Sequence, residues 1–369
     1  MTGQLAGRRI ALVLATSTGG VGAHVRSLIA PLIVAGAEVS VFGPAATEQL
    51  FGFTAEGARF APVEIATGPR PFADAVATVR LRRLTRNSEV VHAHGLRAGL
   101  VSVAAQMGCA RPVVVTLHNA LLASPGMSKR VLDAIERQIC RRADLVLGVS
   151  GDLVTMARQA GARDVRFAPV AAPALDRPTR GADEVRAELG STGRPLILVI
   201  GRLHEQKGLD VLLPAAVVWG RREPRPLVVI AGDGPLEAAL RRQIAALDAP
   251  VRLLGRRGDV ADLLQAADVV VLPSLWEARS LVAQEAMRAG RPLVTTAVGG
   301  LPELVGDAAL LVPPGDSVAL ADAVQRLLDD PALARSLAAA AADRARRWPS
   351  EQDMTAQLFA VYAALMGRA

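Results

Sequence analysis

Apolar runs of four to seven residues recur along this chain, separated for the most part by longer stretches with helical spacing. The runs at 9–15, 38–42, 89–93, 112–117, 144–149, 195–200, 226–231, 251–254, 267–272 and 292–296 read as strands. Strand runs alternating with amphipathic helices are the pattern of βαβ units, and their sheets are parallel and buried on both faces. The pattern weakens at 169–195, where Pro169, Pro173 and Pro178 prevent a long helix. A linker placed there predicts one domain over 1–172 and a second over 173–350. Each is a doubly wound α/β unit whose ligands meet the carboxyl ends of its strands. The length agrees, since 369 residues exceed the roughly 250–300 at which a single core stops growing. Near the end Trp348-Pro349-Ser350 breaks a helix, and a new amphipathic stretch follows at 351–366.

Composition changes this picture in two places. Hydrophobic residues are 51% of the chain and aromatics 3%, so the cores are expected to be aliphatic. Cys109 and Cys140 supply no disulfide framework and read as buried thiols of a reducing compartment. The run 10–15 is too short for a secretion signal, and no stretch approaches the roughly 20 apolar residues of a membrane span. A cytoplasmic protein is expected. The net charge of +7 is uneven: residues 1–172 carry +8 and residues 173–369 carry −1. A one-sided field suggests an acidic partner for the first domain. A preference for arginine also colours the chain, whose only lysines are Lys129 and Lys207, but that does not explain why the excess keeps to one half. Much of it lies at 79–86, where Val79 and Leu84, with Val76 just before them, are interleaved with Arg80, Arg83 and Arg86. That segment reads either as a solvated basic face or as a helix able to lie on an anionic membrane. No nucleic-acid partner is expected.

The chemistry concentrates between Pro273 and Glu303. Glu277 follows the buried strand 267–273, and Glu285 lies one to two turns into the next helix. A strand-to-helix turn offers free backbone N–H groups, a natural place for phosphate. Carboxylates beside such a site accept hydrogen bonds from hydroxyls, and a ligand with both phosphates and many hydroxyls is a sugar nucleotide. Arg202 and Lys207 flank the loop after strand 195–200, and Lys207 is read as a loop lysine that buries little. Fixed cations there would stabilise the charge that develops on a departing diphosphate. In the first domain the glycine loop at 18–22 includes Gly19 and Gly20 and allows close backbone approach. It fails as a dinucleotide fingerprint, because no third glycine and no acidic residue after strand 38–42 complete it. His94 and His118 follow their strands at the carboxyl ends, His24 follows the glycine loop, and His92 reads as core. A near-neutral histidine pKa suits His118 to hydrogen bonding with sugar or hydroxyl. No Asp-x-Asp triplet and no His/Cys set is evident, so no metal ligands, no required metal and no cofactor are expected.

These tracts together resemble the retaining glycosyltransferases of family 4, with their GT-B fold. The resemblance rests on five tracts in order: Thr-Gly-Gly-Val-Gly at 18–22, Val-His-Ala-His-Gly at 91–95 with Thr-Leu-His-Asn at 116–119, Gly-Arg-Leu-His-Glu-Gln-Lys-Gly at 201–208, Ala-Gly-Asp-Gly-Pro-Leu at 231–236, and 273–303. It implies two Rossmann-like domains facing a central cleft, with the final helix, 351–369, crossing back to the first. It implies a nucleotide-sugar donor on the second domain and a hydroxyl acceptor on the first. By that resemblance Glu277 binds the donor sugar, Glu285 the ribose, and His118 lies near the attacking hydroxyl. Gly201, Arg202, Lys207 and the amides of Ser280 and Leu281 cradle the diphosphate, while Gly19, Gly20, His24 and His94 line the acceptor side. Arg279-Ser280 departs from the family's usual residues, and the extra guanidinium either lies beside the phosphates or points outward. The reaction expected is retaining transfer of a hexose from a UDP- or GDP-sugar to a hydroxyl acceptor, with a lipid-linked or cell-envelope glycoconjugate as the candidate acceptor. The rivals are a GT-B nucleotide-sugar epimerase, a sugar phosphorylase, or a non-catalytic sugar-nucleotide binder.

Overall fold

The computed structural model describes residues 3–68, 70–119, 129–172 and 175–367. They form two compact units. One comprises Met1–Ala171 with Pro349–Ala369, and the other Ala172–Trp348.

The first unit runs β1 (Arg9–Leu14), α1 (Gly20–Val34), β2 (Glu38–Gly43), α2 (Ala45–Phe51), β3 (Arg59–Pro62), α3 (Pro71–Leu84), β4 (Val90–His94), α4 (Leu96–Ala105), β5 (Val113–Leu117), α5 (Lys129–Arg142), β6 (Leu145–Gly148), α6 (Gly151–Gln159) and β7 (Val165–Phe167). Its seven strands pair in the order β3-β2-β1-β4-β5-β6-β7, all parallel. Val90–His94 and Val113–Leu117 are buried along their whole length, as strands covered by helices on both faces must be.

The second unit continues with α7 (Ala182–Leu189), β8 (Leu196–Ile200), α8 (Leu209–Trp219), β9 (Leu227–Ala231), α9 (Glu237–Leu247), β10 (Val251–Gly255), α10 (Val260–Ala266), β11 (Val269–Leu272), α11 (Leu281–Arg288), β12 (Leu293–Thr296), α12 (Leu301–Val305), β13 (Leu310–Val312), α13 (Ser317–Asp329) and α14 (Pro331–Arg346). Its sheet is parallel, in the order β10-β9-β8-β11-β12-β13. The segment that leads into it is tied down by Asp262, whose carboxylate accepts from the Thr179 and Arg180 amides at 2.7 and 3.3 Å.

The last helix, α15 (Glu351–Met366), begins at a capping box. Ser350 and Asp353 satisfy one another's backbone N–H groups, which is why the chain restarts a helix directly after Pro349. Its apolar face, including Leu358, Tyr362 and Leu365, joins the core built on β1, β2 and α1 of the first unit.

Each of the ten predicted strands is present. Three more, β3, β7 and β13, were not predicted. They hold three or four residues each and pair on one side only, at sheet edges. So short a run carries no periodicity to read. Cys140 is buried and its thiol is pushed up to about 11, chiefly by burial. Cys109, expected to be buried, is only half-buried, and its sulfur accepts from Arg111 at 3.4 Å.

In both sheets the strand order reverses at one point, between β1 and β4 and between β8 and β11. Ligands of doubly wound sheets bind at the carboxyl ends beside such a reversal. The glycine loop and His94 follow β1 and β4; Lys207 and Glu277 follow β8 and β11. Every tract singled out for donor or acceptor chemistry therefore sits at or beside a switch point of its own unit.

Candidate functional site

In the second unit the chain leaves β8 through Gly201 and Arg202 into a short 3-10 turn, Glu205–Lys207. This turn is locked to the loop after β11. Leu275 donates its amide to Gln206 O at 2.8 Å, and Gln206 Nε2 donates to Trp276 O at 2.8 Å. Gly208 holds a left-handed φ of +61°, and a Cβ there would lie 2.0 Å from Pro273 O. Only glycine lets the two loops approach so closely.

Lys207 Nζ consequently donates to Glu277 Oε1 at 2.5 Å. Ser274 Oγ donates to the same oxygen at 2.8 Å, and Gly300 N to Glu277 O at 2.9 Å. The two side chains are 19% and 10% exposed, which corrects the reading of Lys207 as a loop lysine that buries little. Ser274 and Gln206 position this pair and were not among the predicted site residues. The only sign of Ser274 in the sequence is its place three residues before Glu277.

Ser280 is the N-cap of α11, its Oγ accepting from Ala283 N at 3.3 Å, and Leu281 is the first helical residue. Glu285 lies one turn further on, half-buried, with no salt bridge among the described residues. Burial pushes its pKa up to about 7, against a smaller opposing pull from Arg288. Arg202 is exposed at the turn after β8. Arg279, for which a place beside phosphate and an outward one were both open, lays its guanidinium over the Trp348 ring at 5.6 Å, with its Nε buried and unpartnered among the described residues. Burial lowers its pKa.

In the first unit α1 starts at Gly20, with Gly19 as its N-cap. One glycine of the loop has a packing cause: a Cβ on Gly22 would lie 2.2 Å from the Phe51 ring. α1 carries His24 into a group of histidines at the ends of β4 and β5. His92 is a satisfied core residue, its ring nitrogens 2.6 Å from Tyr362 Oη and 2.6 Å from Thr116 Oγ1. The rings of His24, His94 and His118 meet at centroid distances of 5.2 to 5.6 Å. His94 Nδ1 and His118 Nε2 are 3.2 Å apart.

One ring nitrogen from each of these three residues lies within 4.8 Å of the others. The expectation that no histidine set exists is thereby corrected. The residues stand at 24, 94 and 118, and only the adjacency of β1, β4 and β5 brings them together. The expectation of a near-neutral His118 is also corrected. Burial, then the neighbouring His24 and His92, holds it well below the usual histidine range, and His94 likewise. Burial lowers His24 to about 4. All three imidazoles are neutral at pH 7.

Residues 19–173 match the model of a glycosyl transferase 4-like domain, and residues 194–330 that of glycosyl transferases group 1. The chain is 31% identical to a glycogen synthase of Mycobacterium tuberculosis over 92% of its own length and 91% of that protein. It is 34% identical to an α-D-kanosaminyltransferase of Streptomyces kanamyceticus over 63% of its own length, spanning 65% of that relative. Among solved structures it is similar to Anabaena HepE in complex with UDP and glucose (TM-score 0.82, 22% identity, 97% of this chain and 100% of that one). It is also similar to sucrose-phosphate synthase from Thermosynechococcus elongatus (TM-score 0.82, 23% identity, 98% and 100%).

Proposed function

We propose that this chain, which belongs to the glycosyl transferases group 1 and is a glycosyltransferase of GT-B fold, moves a hexose-type sugar from a UDP- or GDP-sugar to a hydroxyl acceptor with retention. The observation that carries this reading is the Lys207–Glu277–Ser274 constellation beside the Ser280-capped start of α11. It sets a cation, a carboxylate and free helix amides at one switch point, a combination suited to a ligand bearing both phosphate and hydroxyls.

In this reading Arg202, Lys207 and the amides of Ser280 and Leu281 hold the diphosphate and take up its growing charge as the glycosidic bond breaks. Glu277 accepts from sugar hydroxyls and Glu285 from the ribose. The first unit binds the acceptor, with Gly19, Gly20, His24 and His94 on its carboxyl edge. His118, neutral, hydrogen-bonds the sugar or the attacking hydroxyl. The acceptor attacks on the face the phosphate leaves, and a phosphate oxygen takes its proton. No step calls on a metal ion or another cofactor. UDP in the HepE complex supports a uridine donor.

The acceptor is proposed to be lipid-linked, met at the cytoplasmic face of an anionic membrane. α3 supports this. It buries Ala77 and Leu81 and turns Phe72, Val76 and Val79 outward, 91%, 68% and 51% exposed. Arg80 and Arg83 stand beside Val76 and Val79 on this exposed face. An apolar strip with basic flanks suits a membrane surface. No helix among the described residues is long and apolar enough to cross a membrane.

The test is nucleotide release from UDP- and GDP-hexoses by the purified protein, with the anomeric configuration of product read by NMR. An inverted product would remove retention. Failure of every nucleotide sugar both to raise Tm and to turn over would remove the whole reading.

A further inference from the structure

We infer that His24, His94 and His118 form a site for one borderline transition cation of the zinc class, and that filling it inhibits transfer. The argument starts from hydrogen-bond accounting. Buried polar atoms are normally partnered. His92, in the same group, is partnered on both nitrogens. His24 Nδ1 and His94 Nε2 are buried and have no partner among the described residues, on residues only 8% and 2% exposed. Two orphaned imidazole nitrogens thus occur in one cluster of three rings, each ring offering a nitrogen within 4.8 Å of the others.

The donor set selects the ion. Zinc–nitrogen bonds of about 2.0–2.1 Å place tetrahedral ligand atoms about 3.4 Å apart, so modest ring rotations close the site. A set of three neutral imidazoles suits zinc, cobalt, nickel or copper; magnesium and calcium require oxygen ligands. Three protein ligands leave a fourth position open, for water or an acceptor hydroxyl. Inhibition rests on the reading in which His118 meets the sugar or the attacking hydroxyl, because a nitrogen bound to metal is withdrawn from that contact.

Binding is measured on the full, metal-stripped chain by equilibrium dialysis with zinc chloride, and by the visible spectrum with cobalt chloride. One zinc per chain is expected, with the intense visible bands of four-coordinate cobalt. His24→Gln and His94→Gln, checked for folding by circular dichroism, should each weaken zinc by more than about the 10–100-fold typical of losing a supporting partner. His204→Ala, which removes the remaining surface histidine, should retain it. No stoichiometric zinc, six-coordinate cobalt, or affinity unchanged in the folded His24 and His94 variants would overturn the site. One equivalent of zinc should lower donor turnover at least tenfold, with EDTA restoring the metal-free rate. Bound zinc with unimpeded turnover would overturn the inhibition. If metal-free protein turns over no donor at all, the proposed function fails, while zinc binding, measured without substrate, is still decided separately.

Discussion

Lys207 Nζ lies 2.5 Å from Glu277 Oε1, joining residues seventy positions apart in the chain. They follow β8 and β11, strands that pair at the strand-order reversal of the second sheet. The pair neutralises a mostly buried cation and carboxylate. In the donor complex the diphosphate would compete with Glu277 for the ammonium, and sugar hydroxyls would replace it on the carboxylate. One contact thus fixes both of the groups proposed to bind the donor.

Lys207→Ala should lower kcat/KM about 10²-fold or more, equivalent to about 2.7 kcal/mol of transition-state stabilisation. It should also cost stability, up to about 3 kcal/mol, because it leaves a buried carboxylate without its counter-ion. Lys207→Ala/Glu277→Ala should regain part of that stability while staying inactive. Urea unfolding of the two single variants and the double completes the cycle. Additive stability losses would show that the pair is not coupled.

Glu277 and Glu285 should separate by ligand. Glu285→Ala is expected to weaken nucleoside diphosphate and nucleotide sugar alike, whereas Glu277→Ala spares the nucleoside diphosphate and mainly costs turnover. Titration calorimetry with UDP and GDP on both variants reads the difference. Equal loss of nucleotide affinity in both would reverse the assignment of sugar and ribose.

Glu285 also sets a pH dependence. Its folded pKa, about 7, is raised above its unfolded value by burial. Its contribution to stability is therefore present at low pH and lost as pH rises through about 7. The buried histidines act oppositely, since their depressed pKa values cost stability as pH falls below their unfolded value near 6.5. Comparing Tm of wild type with Glu285→Gln from pH 5 to 8 isolates the carboxyl. The wild type should lose ground relative to the variant as pH rises, and parallel curves would rule the effect out. Ribose hydroxyls donate to the ionised form, so UDP affinity should rise across the same range.

Membrane contact should depend on α3 and on salt. Co-sedimentation with anionic vesicles is expected at low ionic strength and should fall at high salt. Arg80→Gln/Arg83→Gln with Phe72→Ser should abolish it. Arg82 is left in place because its guanidinium already donates to Ala105 O and Met107 O at 3.0 and 2.8 Å. Binding unaffected by the triple substitution would point to a soluble acceptor or another surface.

What the chain discloses by itself follows the range of its signals. Parallel α/β architecture was legible because most of the long strands, such as β4, β5, β8 and β9, are runs of mainly apolar residues buried along nearly their whole length. The restart of a helix after Trp348-Pro349-Ser350 was legible in the sequence, whereas the caps at Ser280 and at Ser350 with Asp353 emerged only in the structure. The tract we propose to bind the donor was singled out because Lys207, Glu277 and Glu285 stand in a local setting that resembles the family's. Tertiary structure alone decided what long-range pairing controls. It added β3, β7 and β13, too short for any periodicity, and packed α15 into the core of the first unit. It tied Lys207 to Glu277 through loops that meet only because β8 lies against β11. It gathered His24, His94 and His118, which no spacing in the sequence brings near one another. Local pattern records what a segment buries; which segments become neighbours depends on strand order, and that is a property of the folded sheet.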